Sequence, residues 1–186
     1  MRLIIFFFVL LFYSNFSYAI EFKGKFEQGS FILGKTEPNS QVIIDKKKIK
    51  KKKIKVSKEG YFAFGLGRDR KNNVTIKVIN KEKFKIYEKK VLKKKYKIQR
   101  IDGLPKKQVT PPKEVYERIK KDNILIGKAR EIDTSLDYFK NKFIKPVDNA
   151  IITGVYGSQR ILNGKPRRPH YGLDYAADEG TSVKAM

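Results

Sequence analysis

His170 stands four residues before Asp174, with Gly172 midway between them. A neutral imidazole nitrogen and an anionic carboxylate oxygen are an ordinary ligand pair for zinc. Two ligands on one tetrahedral zinc have donor atoms about 3–3.5 Å apart, because each metal–ligand bond is near 2 Å. A fully extended strand would separate the two Cα atoms by roughly 13 Å. The chain must therefore bend between them, and Gly172 allows a bend at low steric cost. Taken alone, one His near one Asp is more often an exposed surface pair than a metal site. His170 is the sole histidine and cysteine is absent. That excludes disulfides, cysteine-ligated zinc, iron–sulfur clusters and thiol nucleophiles. Any function that needs two histidines must find the second outside these 186 residues.

The string around the pair is more specific than the pair. Gly154-x-Tyr156-Gly157-Ser158-Gln159-Arg160 precedes it, and Ala176-Ala177-x-Glu179-Gly180-Thr181-x-Val183-x-Ala185 follows. Together with His170-x-Gly172-x-Asp174, these strings resemble the first half of a lysostaphin/LytM-type zinc metallopeptidase domain, a family that cleaves peptide bonds in bacterial murein. The upstream sequence is similar to exported envelope members of that family with an N-terminal β-domain. It runs through Gln28-Gly29 and Gly67-Arg68-Asp69, then Ile98-Gln99-Arg100-Ile101-Asp102-Gly103-Leu104-Pro105 and Val109-Thr110-Pro111-Pro112.

The resemblance implies a peptidoglycan zinc metalloendopeptidase that hydrolyses stem or cross-link peptides, with Zn2+ as cofactor and peptidoglycan as partner. His170 and Asp174 match the first two zinc ligands. The third ligand in the family is the second histidine of a later His-x-His motif, and further histidines assist catalysis. None of these is present, so no catalytic residue is assigned within the chain, and the catalytic histidines are expected beyond Met186. Asp178 stands where relatives often have proline, a minor departure. Two protein ligands are one short of the three that catalytic zinc uses. The expectation for this fragment alone is weak zinc binding and no hydrolysis. The alternative is a non-catalytic wall-binding module or an activator of a murein hydrolase.

The elements that would position the pair can be read along the chain. Residues 1–19 carry Arg2, an apolar run from Leu3 to Tyr13 and the small-x-small triplet Ser17-Tyr18-Ala19. These are the parts of a secretory signal peptide. The protein is therefore expected to be exported to the periplasm or cell envelope, meeting the membrane only transiently through that peptide. Residues 20–100 show a period near two. Phe22 and Phe26, Val42 and Ile44, Tyr61 to Phe64, Val74-x-Ile76-x-Val78, then Phe84 and Ile86 recur between turn residues. Short strands at this spacing predict an immunoglobulin-like β-sandwich. The lysine run of residues 46–55, broken by Ile49 and Ile54, fits a hairpin with a solvated tip.

Residues 101–141 read as a linker and helix. Asp102-Gly103-Leu104-Pro105 and Thr110-Pro111-Pro112 break the strand pattern. Thr110 can cap a helix on which Val115, Ile119, Ile126, Ala129 and Ile132 recur at helical spacing to about Asp133. An amphipathic helix of this kind is expected to pack on a neighbour or bridge the domains, without chemistry of its own. Residues 142–186 are expected to be the first part of an antiparallel-β metallopeptidase domain. Residues 180–186 read as a strand being entered, which would leave an unpaired edge and predicts an N-terminal fragment of a longer product. The fold class is thus mainly β.

Composition bounds the partners. The net charge is +24, from 43 Lys+Arg against 19 Asp+Glu. Such a charge suits a polyanion, and for an exported chain the polyanions at hand are headgroups and wall polymers, so no nucleic-acid partner is expected. The excess of Lys over Arg, with frequent Ile, Asn and Phe, also fits an A/T-biased genome, in which surface lysine is drift rather than a binding device.

Overall fold

The computed structural model describes residues 20–45, 52–105 and 112–185. The segment 1–19 that the sequence suggests as a signal peptide, the lysine tip at 46–51 and the proposed cap Thr110 lie outside them. The chain is mainly β, as the alternation requires.

Among the described residues seven strands form the N-terminal unit. Strands β1 (Glu21–Lys23), β2 (Phe31–Lys35) and β5 (Tyr61–Gly65) make one antiparallel sheet in the order β1-β2-β5. Strands β3 (Gln41–Ile44), β4 (Lys52–Ile54), β6 (Val74–Asn80) and β7 (Lys83–Lys89) make a second, ordered β4-β3-β6-β7. Period-two alternation turns one face of each sheet inward. Ile32, Phe62 and Phe64 from the first sheet meet Val42, Ile44, Val74, Ile76 and Val78 from the second. Phe62, Ile32, Ile76, Val42 and Val74 are fully buried, each worth about 1.5–3 kcal/mol in removed apolar surface. Three strands facing four over such a core is the immunoglobulin-like arrangement the spacing implied.

Two details refine that picture. Gly34 is the register partner of Phe62 across β2–β5, and a Cβ at Gly34 would come 2.1 Å from the Phe62 ring. The glycine makes room for the largest side chain of the core. On β7, by contrast, it is Tyr87 that packs on the core, while Phe84 and Ile86 point outward and are 61% and 53% exposed. The side-chain period fixes that Phe84 and Ile86 share a face but not which face it is. Strands β3 and β4 pair antiparallel, Val42 with Ile54, as arms of the expected hairpin.

The chain after β7 does not leave as a free linker. Leu92 forms a parallel bridge with Glu27. Strand β8 (Ile98–Ile101) pairs not with the sandwich but in parallel with β10 (Gln159–Leu162), in the order β11-β10-β8. Strand β11 (Lys165–Pro166) closes a hairpin with β10, and its turn residues Asn163 and Gly164 both have positive φ, 48° and 74°. That is the backbone an Asn-Gly pair adopts readily in a two-residue hairpin turn. Asn163 then exchanges two side-chain hydrogen bonds with the backbone of Leu104, at 3.0 and 2.7 Å.

Helix α1 (Tyr116–Glu131) follows the 3-10 turn Lys113–Val115. Its start lies at Val115, with no side-chain cap. Of the two expected roles, packing on a neighbour or bridging the domains, the first finds no buried stripe: none of its residues is buried, and Ile126 is 45% exposed. The return segment is tied to the sandwich instead. Lys55 reaches Asp133 at 2.7 Å, Lys140 reaches Glu59 at 2.8 Å, and Phe143 meets Phe31 edge-on. Strands β9 (Ile151–Gly154) and β12 (Asp174–Ala176) form the last antiparallel pair. Residues 181–185 are not a strand; Lys184 makes one backbone hydrogen bond to Pro146, and Val183 is exposed. A run of residues with strand propensity becomes a strand only where a partner edge meets it.

Candidate metal centre

His170 and Asp174 are brought together as their spacing anticipated. Nε2 of His170 lies 3.1 Å from Oδ1 of Asp174. The two are not hydrogen-bonded: Nε2 is buried and has no hydrogen-bond partner. Buried polar atoms are nearly always satisfied, so an orphan one calls for a cause. A plain His–Asp surface pair would align the ring N–H on the carboxylate. Two donors at 3.1 Å without that bond match the separation of two ligands on one zinc, about 3–3.5 Å.

Backbone geometry fixes each donor. Asp174 opens β12 opposite Gly154 on β9, and the register shifts between Asp174 and Tyr175, a bulge that re-aims the side chain. The carboxylate lies over Gly154, where a Cβ would meet Oδ2 at 2.3 Å. His170 is held through its main chain. Its N–H donates to the Ser158 carbonyl at 2.8 Å, and its carbonyl accepts the Gly157 N–H at 2.7 Å. The Ser158 hydroxyl donates to the Val155 carbonyl at 2.8 Å, closing the turn that presents these groups. Gly157 itself has φ 86°, a conformation costly for other residues.

The sandwich then grips that turn. Nε of Arg68 donates to the Gly157 carbonyl at 2.8 Å, and the Arg68 guanidinium lies 4.5 Å from the centre of the Tyr96 ring. Tyr96 in turn covers Gly157, where a Cβ would sit 2.1 Å from the ring. At Gly29, with φ 76°, a Cβ would meet both Tyr96 Oη and the Tyr156 ring at 2.7 Å. Gln28 fastens the Arg68 loop by donating to the Arg70 carbonyl at 2.7 Å, and Arg70 forks onto Asp45 at 2.7 and 2.8 Å. The separated strings Gln28-Gly29, Gly67-Arg68-Asp69 and Gly154 to Arg160 are thus one assembly around the His170 backbone. Burial pushes the Tyr96 hydroxyl above its ordinary pKa, with the neighbouring Tyr156 adding to the rise and the Arg68 cation opposing it. The hydroxyl has no hydrogen-bond partner.

No family model matches the chain, and no curated protein matches it. The geometry is therefore the guide to chemistry.

His170 and Asp174 open into a cleft of about 1150 Å³. Its walls come from β8, β9, β10 and α1. Among the described residues no three His, Cys, Asp or Glu side chains cluster as a metal cage; the candidate site consists of the His170–Asp174 pair alone. Helix α1 has no chemistry in its helical pattern, yet its Asn123, Ile126 and Arg130 stand in the cleft wall. Arg160, Arg167 and Arg168 join them. The signal available for the last three was the Asn163-Gly164 turn, which folds the segments bearing Arg160 and Arg167 back on each other; the Arg167 N–H donates to the Arg160 carbonyl at 2.8 Å. Among the described residues no helix is long and apolar enough to cross a membrane.

Proposed function

We propose that this chain carries the first two zinc ligands of a metalloendopeptidase acting on the peptides of peptidoglycan, and that its β-sandwich is the scaffold against which the ligand loop is set. The observation that carries the reading is the His170–Asp174 pair, with Nε2 and Oδ1 3.1 Å apart and Nε2 buried without a hydrogen-bond partner. The resemblance of the surrounding string to lysostaphin/LytM-type peptidases supplies the reaction class and the substrate.

In this reading His170 and Asp174 hold the ion, one as a neutral nitrogen and the other as an anionic oxygen. Bound zinc supplies a water of lowered pKa and a Lewis acid for a scissile carbonyl. The rest of the described residues position rather than react. Gly157 and Ser158 fix the His170 main chain, Gly154 leaves space for the Asp174 carboxylate, and Arg68 and Tyr96 hold the turn from the sandwich side. No general base is assigned among them, and a two-ligand site binds zinc weakly.

Zinc titration of the purified chain by calorimetry tests this. The expected result is one weak site per chain, lost in His170→Ala and in Asp174→Ala, with no release of peptides from purified peptidoglycan by the chain alone. Zinc affinity indifferent to both substitutions would overturn the reading.

A further inference from the structure

The cleft beside His170 departs from the rest of the molecule in one respect. The chain has 34 lysines and nine arginines. Compositional drift towards lysine should therefore give the cleft mostly lysine. It has the reverse: Arg130, Arg160, Arg167 and Arg168 against Lys97 alone. Nearly half of the arginines converge on one depression from three separate parts of the chain. Asp174 is the only carboxylate in the lining. Arg130, Arg160 and Arg168 are exposed and form no ion pair among the described residues. The Arg168 guanidinium is steadied 5.1 Å from the centre of the Tyr171 ring, beside His170.

Arginine and lysine differ in what they recognise. The guanidinium is a rigid planar fork that meets a carboxylate or phosphate by two parallel hydrogen bonds, whereas ammonium is a strongly hydrated point charge. A lining that selects arginine over abundant lysine is suited to planar, oriented anions. Bare phosphate is more often cradled by backbone N–H groups at a helix N-terminus. Helix α1 offers the cleft its middle and C-terminal turn instead, through Asn123, Ile126 and Arg130. The negative end of its dipole favours the Arg130 cation and disfavours an anion lying directly on the helix end.

We propose that this cleft is a carboxylate-reading subsite: it binds an extended peptide bearing two or more free carboxylates, gripped by Arg130, Arg160 and Arg168, and so sets which peptides reach the His170–Asp174 pair. The peptide nature of the ligand rests on the peptidase reading; the carboxylate grip rests on the arginines. The subsite works without metal, because the arginine forks contact the side groups of the ligand rather than the bond beside the ion.

The test uses the full chain in EDTA, at fixed ionic strength. The probe is an acetylated tripeptide of alanine and two glutamates with its C-terminal carboxylate free, compared with the fully amidated glutamine analogue. Binding is read by calorimetry or by nuclear magnetic resonance shifts of the cleft residues. The expected result is binding of the acidic peptide only, weakened about tenfold by Arg160→Ala or Arg168→Ala, as loss of a charge-assisted hydrogen-bonded pair implies. Arg160→Lys should restore little, since lysine keeps the charge but not the fork. Circular dichroism confirms that these exposed variants remain folded. Equal loss from Lys93→Ala with Lys95→Ala, two lysines outside the cleft, would overturn the proposal by showing that net charge alone binds the probe. Inorganic phosphate displacing the peptide at lower concentration than the peptide itself needs would overturn it in favour of a phosphate site. Failure of the zinc titration with this binding intact would remove the peptidase reading and leave the carboxylate site standing.

Discussion

Asp174 lays its carboxylate across the backbone of Gly154, so closely that a Cβ there would meet Oδ2 at 2.3 Å. The two are register partners at the bulged start of the β9–β12 pair. One donor of the candidate metal centre thus owes its position to the absence of a side chain on the facing strand, 20 residues earlier. If the pair holds zinc as proposed, its affinity should depend on residues that never touch the ion.

Gly154→Ala is expected to push the Asp174 carboxylate away from His170 without removing either ligand. Zinc affinity should fall by about tenfold or more, the usual effect of disturbing the groups that orient a ligand. Calorimetric titration of the variant against the parent chain measures it. Because Gly154 lies outside the sandwich core, the melting temperature of the sandwich should be unchanged.

Arg68 acts on His170 through one intermediate, donating to the Gly157 carbonyl while the Gly157 N–H donates to His170. Its side chain is 11% exposed, and its charge is shared with Asp69 at 2.6 Å. Arg68→Ala should weaken zinc binding by about tenfold and loosen the ring of Tyr96. Arg68→Lys should not rescue it, because an ammonium group cannot both lie flat on Tyr96 and donate along the same direction as Nε. Hydrogen exchange of the Gly157 amide, faster in both variants, separates this positioning role from general instability.

Tyr96 provides a pH signature. Its pKa is raised from 10.0, chiefly by burial, so the folded state favours the neutral phenol. The associated stability is complete below pH 10 and is lost as the pH rises through the elevated folded value. The packing of the sandwich on the Gly157 turn should therefore loosen in alkali, followed by tyrosinate absorbance and by exchange of the Gly157 amide. Tyr96→Phe keeps the ring under Arg68 and removes the unpartnered hydroxyl. It should abolish the alkaline transition and raise stability at neutral pH by about 1 kcal/mol.

Gly34→Ala tests the sandwich core. The added methyl would lie 2.1 Å from the Phe62 ring, and Phe62 cannot withdraw because it packs edge-on against Phe22 and stacks with Phe64. Destabilisation of about 1–3 kcal/mol is expected from such overpacking, measured by urea unfolding. Phe62→Leu combined with Gly34→Ala should recover part of the loss, which separates crowding from a change in strand propensity.

Much of this was legible in the residues. The alternation in residues 20–100 specifies strands because side chains change face at every residue, and inward positions such as Val74, Ile76 and Val78 are buried as the pattern requires. Helical spacing placed α1 to within a few residues. The four-residue interval with a central glycine lets His170 and Asp174 approach to 3.1 Å, while the β9–β12 register and the turn at Gly157 hold each of them in place.

Tertiary structure alone decided the partners. A strand has two edges, and nothing in the residues of β8 says which edge it will meet; the fold gives it to β10 rather than to the sandwich. The outward face of Phe84 and Ile86, the exposed flank of α1 and the coil at residues 181–185 are of the same kind, since propensity describes a segment and burial describes its neighbours. The Arg68 grip on Gly157 spans 89 residues, and the four arginines of the cleft come from three separate stretches. Local spacing marked the candidate pair, and long-range packing chose what surrounds it, because a contact between distant residues exists only after the chain between them has folded.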